Sequence, residues 1–143
     1  MSRRSSRSAS ALISVALLLV AGCESSTGVS GEVADVRGPW EFTGTQLAPS
    51  LQLSGTLVIA GQDGDLVTGS LSWEERDGLG GTTAHAGSVS GRVIGLTDID
   101  FDVFAGEGVR RHVARLGTGS MEGAWVQVST GRSGEFAAAQ EIP

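Results

Sequence analysis

From Arg37 onward, apolar and polar residues alternate with a period of two, the spacing of a half-buried strand, rather than the 3.6 of a helix. Trp40, Phe42 and Gly44 share one face of a first strand, against Glu41, Thr43 and Thr45. Leu51, Leu53, Gly55, Leu57 and Ile59 form a second row, opposed by Gln52, Ser54, Thr56, Val58 and Ala60. Gly61-Gln-Asp-Gly64 then predicts a hairpin turn. Val67, Gly69, Leu71 and Trp73 carry the return strand, and Glu75 to Ala84, with Asp77-Gly-Leu-Gly-Gly81, is the longest predicted loop. A fourth strand holds Gly87, Val89, Gly91 and Val93. A fifth sets Ile99, Phe101 and Val103 against Asp98, Asp100 and Asp102. After Gly106-Glu-Gly108 come a sixth strand (Arg110 to Leu116), a seventh (Met121, Gly123, Trp125) and an eighth (Gly134 to Gln140). Short strands at roughly ten-residue spacing with glycine turns indicate a barrel or sandwich. Eight hairpin-linked strands close naturally into an antiparallel up-and-down barrel without exposed edges. That all-β barrel, over residues 37–143, is the fold expected. Glycines on the inward face fit it, because they let strands bend sharply around a small barrel.

The N-terminus has a different pattern. Arg3, Arg4 and Arg7 precede an apolar run from Ala9 to Val20, whose end overlaps Leu19-Val-Ala-Gly-Cys23. About a dozen apolar residues are too few for a bilayer core, which takes roughly 20. A basic start, a short apolar core and small residues before a cut site mark residues 1–22 as a secretory signal. Residues 24–36 are polar, small and turn-rich, and read as a flexible tether, with a short first strand as the alternative.

Val20-Ala21-Gly22-Cys23 resembles the lipobox of bacterial lipoproteins. The resemblance implies a diacylglyceryl group on the Cys23 thiol, cleavage just before it, and a mature protein anchored by lipid at a membrane of the cell envelope. Cys23 is the only cysteine of the chain, so it has no intramolecular disulfide partner. Gly38-Pro-Trp40 resembles the Gly-x-Trp opening of calycin barrels, the group of lipocalins, avidins and a bacterial metalloprotease-inhibitor family. Met121-Glu-Gly-Ala-Trp125 and Gly134-Glu-Phe136 resemble the closing strands of bacterial β-barrel lipoproteins. The last strand departs from the lipocalin pattern by ending in Ala137-Ala-Ala-Gln140 without an arginine to stack on the opening tryptophan. The resemblance implies a fold; function has to come from a site.

Charge narrows the partners. The chain has 16 acidic and 10 basic residues, no lysine, and a net charge of −6. All the acids follow Cys23, while three arginines lie in the signal, so the exported part is the more acidic. Nucleic acid as a partner is disfavoured, because phosphate binding needs clustered cations. Anionic headgroups would repel such a domain, leaving the lipid on Cys23 as the membrane contact.

The chemistry expected is binding without catalysis. No Gly-x-Ser-x-Gly elbow joins a strand to a helix. Glu74-Glu75 sits at a strand end, with no neighbours to bury it and split the two pKa values. Two histidines distant in sequence, His85 beside the loop and His112 inward on the sixth strand, give no zinc set of three or four ligands. Asp98, Asp100 and Asp102 along an extended strand sit too far apart to surround one calcium ion. They are expected to pair with Arg110, Arg111 and Arg115 across the Gly106 hairpin. Neither cofactor nor metal is expected. The candidate barrel-lining residues are Trp40, Phe42, Trp73, Phe101, His112, Trp125 and Phe136. They would enclose a small apolar ligand or fill the lumen themselves. The other expectation is a protein-interaction module of the envelope, a protease inhibitor or assembly scaffold.

Overall fold

In a computed structural model, which describes residues 31–142, the alternation closes on itself. Eight antiparallel strands run β1 (Gly38–Leu47), β2 (Ser50–Asp63), β3 (Leu66–Arg76), β4 (Thr82–Ile94), β5 (Asp98–Ala105), β6 (Gly108–Gly117), β7 (Ser120–Gln127) and β8 (Ser133–Gln140). Each pairs with the next, and β8 returns to β1 from Trp40 opposite Gln140 to Gly44 opposite Phe136. The expected signal and the expected lipidation site, Cys23, lie outside the described residues.

Register follows the side-chain period. A slip of one residue would turn every inward side chain out, so the apolar rows fix the pairing. The inward row is Trp40, Phe42, Leu53, Leu57, Ile59, Val67, Leu71, Trp73, Val89, Val93, Ile99, Phe101, Val103, Met121, Trp125 and Phe136, all buried. Outward positions such as Ser54, Ser70, Ser72, Ser88, Ser90 and Glu122 are exposed. An apolar inside and a polar outside are the reverse of a membrane-spanning barrel, which faces lipid with its apolar residues.

The inward glycines bring neighbouring strands together. A Cβ on Gly55 would come within 1.9 Å of the Ser72 carbonyl oxygen, and one on Gly123 within 1.9 Å of the Val113 oxygen. No side chain fits there, so glycine lets adjacent strands close in at the tight curve.

Two turns differ from the sequence expectation. The β2–β3 turn falls at Gly64-Asp65, with Gly64 at φ 60°, and a register shift between Ile59 and Gly61 marks a bulge in β2. The extra residue carries the strand past Gly61 before it turns. The Glu75–Ala84 loop shrinks to residues 77–81, because β3 and β4 pair as far as Arg76 opposite Thr82. Asp77 organises it, its carboxylate accepting from the Leu79 and Gly81 amides.

The ends of the barrel are unlike. At the end where β1 begins, the described part of the expected tether is not free: Val36 is buried, and Val33 and Ala34 pack on the core. The Gln62 side chain accepts from the Val36 amide and donates to the Ala34 carbonyl, while the Trp40 indole N–H donates to the Val36 carbonyl. Residues 33–36 therefore plug that end. The opposite end, ringed by the β1–β2, β3–β4, β5–β6 and β7–β8 turns, carries the buried charges.

Candidate functional site

The candidate lining residues all point inward, and they pack rather than enclose a hollow. Phe42, Phe101, His112 and Phe136 meet at mid-height. His112 stacks on Phe101 at 4.7 Å between ring centroids and meets Phe136 edge-on at 5.1 Å. Its Nδ1 lies 3.2 Å from the Arg110 carbonyl oxygen. Burial pushes its pKa down from 6.5 to about 4, a fall to which the Arg110 charge adds, so the ring is neutral at pH 7. Trp40 closes the core against the plug, and Trp73 and Trp125 stand toward the other end.

Those two tryptophans hold a cation. The Arg110 guanidinium lies between them, 4.7 Å from the Trp73 ring and 4.5 Å from the Trp125 ring, its side chain only 3% exposed. Cation–π contact with two rings lowers the cost of burying an arginine when carboxylates also pair with it. Glu75 and Glu107 each set one carboxylate oxygen against Nη2 of the guanidinium, while its Nε stays buried without a partner. Burial alone would raise the Glu75 pKa; hydrogen bonds from Arg110 and the Trp73 indole outweigh it and hold the carboxyl below its usual range. His85 stacks on Trp73 at 5.1 Å, between the two carboxylates.

The sequence expectation missed this constellation in three places. Arg110 does not reach the aspartates of β5: its register aligns with His112 and Ala114, which point inward, so it enters the barrel. Arg111 alone forms the expected ion pair, Nε 3.1 Å from Asp102. Glu75 is not an exposed strand end but continues the inward row after Trp73. His85, expected in solvent, lies opposite Trp73 in the register of β3 and β4 and is mostly covered. Extending the period-two rows by one residue pair at each strand end would have signalled all three.

Outside the barrel lies a groove of about 1040 Å³. It crosses β5, β6, β7, β8 and β1, past Val113, Ala124 and Ala137, with Gly44 and Gly123 where the inward glycines draw the strands together. Asp98, Asp100, Glu122 and Glu135 line it beside Arg115. The groove is thus apolar along its outward-facing alanines and valine, and its charge is acidic.

No protein-family model matches the chain, and no curated relative does. Solved structures do match in fold. A redesigned β-barrel superposes with a TM-score of 0.61 at 11% identity, covering 74% of this chain and 91% of its own. A de novo designed fluorescence-activating β-barrel gives 0.52 at 17% identity, covering 73% and 93%. A third chain, solved bound to DFHBI, gives 0.57 at 11% identity, again covering 73% and 93%. At these identities the likeness is one of fold.

Proposed function

We propose that the chain is a lipid-anchored, non-catalytic binding barrel of the cell envelope, whose ligand is small and apolar and lodges in the outer groove. The observation that carries this reading is the contrast between a lumen filled by its aromatic core and an outer groove of about 1040 Å³ lined by Val113, Ala124 and Ala137. Its volume stands at the top of the range usual for small-molecule sites, about 300–1,000 Å³, and the groove is open to solvent. The four carboxylates against the single Arg115 favour a ligand that is neutral or positively charged. The chain solved bound to DFHBI supports the reading as a case of this architecture holding a small molecule. The lipid anchor rests on Val20-Ala21-Gly22-Cys23. More than one acyl chain gives durable attachment. Because the chain enters the barrel at the plugged end, an anchor there leaves the Arg110 mouth facing away.

The binding test uses an environment-sensitive apolar amine dye and its neutral analogue. Ala124→Arg, an exposed change that leaves the core intact, should weaken dye binding by about tenfold or more while the unfolding midpoint stays put. Unaltered dye binding by Ala124→Arg would refute the groove. The anchor is checked by fractionation: Cys23→Ser should move the chain from membranes to the soluble fraction, and an unmodified thiol at the mature N-terminus would sink it.

A second reading, a protein-interaction module, has an observation of its own. Phe104 lies opposite Val109 in the β5–β6 register, and the Val128 amide donates to the Val109 carbonyl, so three apolar residues form one row near the charged mouth. Phe104 and Val128 are exposed. If this row docks a protein, Phe104→Ser abolishes cross-linking to that protein and Ala124→Arg does not.

A further inference from the structure

Three metal-ligating side chains from separate segments converge at the charged mouth. Glu75 comes from the end of β3, His85 from the start of β4 and Glu107 from the β5–β6 turn. One donor atom from each lies within 4.8 Å of the other two. Arg110 sets the carboxylates: Oε1 of Glu75 and Oε1 of Glu107 both face its guanidinium. The remaining oxygens turn toward His85. Glu75 Oε2 lies 3.4 Å from Nε2, and Glu107 Oε2 lies 3.0 Å from Nδ1.

The two ring nitrogens are not equivalent. If Nδ1, 3.0 Å from Glu107 Oε2, carries the ring proton, the lone pair sits on Nε2, which is buried without a hydrogen-bond partner. A bare acceptor nitrogen beside a carboxylate oxygen presents two lone pairs to one point. Donors bound at about 2.0–2.2 Å to one tetrahedral ion stand about 3.3–3.6 Å apart, a range that includes the Nε2 to Oε2 spacing of 3.4 Å. A carboxylate on the far nitrogen of a ligating histidine is the usual outer support, fixing tautomer and ring angle. Charge is consistent too, since two carboxylates against one guanidinium leave the cluster net negative. The His85 and Glu107 side chains are 18% and 27% exposed, which places the cluster at the solvent edge of the mouth.

We propose that His85 Nε2 and Glu75 Oε2 bind a divalent transition-metal ion at this mouth, Zn²⁺ by donor type, with Glu107 orienting the imidazole and water filling the open positions. Imidazole with carboxylate suits Zn²⁺ better than calcium or magnesium, which take oxygen sets. The ligand set is open rather than closed, so binding is exchangeable and modest in affinity.

The test uses the full-length chain in mild detergent with Cys23→Ser, so that no thiol competes. Zn²⁺ is titrated calorimetrically, and Co²⁺ is followed by its visible absorption. The parent should bind one ion per chain. His85→Gln should abolish binding, and Glu107→Gln should weaken it by about 10–100-fold, as loss of an orienting partner does. His112→Phe should leave it unchanged, and near-UV circular dichroism confirms that each variant is folded. No Zn²⁺ binding by the parent at sub-millimolar concentration, or equal binding by folded His85→Gln, would overturn the proposal.

Discussion

His112 makes the stability of the barrel depend on pH between about 4 and 6.5. In the unfolded chain the imidazole takes a proton near pH 6.5; in the barrel, burial among Phe42, Phe101 and Phe136 delays protonation to about pH 4. Between those values the unfolded state binds more protons, so stability rises with pH across the window and is lost as pH falls. The folded pKa is the lower one, so the contribution is fully present above pH 6.5 and exhausted near pH 4. At about 1.4 kcal/mol per unit, the shift is worth about 3 kcal/mol. His112→Phe keeps a ring against Phe101 and removes the proton site. Urea unfolding of parent and variant at pH 7, 6, 5 and 4 isolates the effect. The difference between their stabilities should change by about 3 kcal/mol over the series, whatever its value at pH 7. Contributions from Glu75, whose lowered pKa costs stability only as pH falls below its ordinary value of 4.5, are common to both and cancel. A difference that stays flat with pH would mean His112 is not buried as a neutral ring among the phenylalanines.

Other perturbations test the remaining contacts. Arg110→Ala should cost about 3–5 kcal/mol in urea unfolding, since it strands the Glu75 and Glu107 carboxylates. Arg110→Met with Glu75→Leu and Glu107→Gln should recover most of that loss. Gly55→Ala drives a methyl into the Ser72 carbonyl and should destabilise by about 1–3 kcal/mol. Gly78→Ala, in open space in the β3–β4 loop, should stay within about 0.5 kcal/mol. Val36→Ala, which thins the plug over Trp40, should lower stability by about 1–2 kcal/mol and speed hydrogen exchange of the Val36 amide.

The fold was legible because its signal is local and repeated. Trp40 and Phe42, Leu71 and Trp73, Phe101 and Val103 each announce an inward face two residues at a time, and glycine marks every turn except Ala48-Pro49 between β1 and β2. That information needs no knowledge of which strands are neighbours, since consecutive strands in a meander are neighbours already. The inward glycines at Gly55 and Gly123 were legible for the same reason, as gaps in an apolar row.

The mouth was not legible, because its chemistry comes from residues that are polar in sequence and buried only by their surroundings. Glu75, His85 and Arg110 read as surface groups until β3, β4 and β6 are closed into one ring, which puts two tryptophans around the guanidinium. The outer groove is likewise a property of curvature: Ala124 and Ala137 are unremarkable outward positions until the strands bend. Sequence by itself determined the alternation, and hence the strands, their order and the apolar interior. Tertiary structure alone decided where the charges go, because burying an arginine costs too much except where closure supplies two carboxylates and two aromatic faces within a few ångströms.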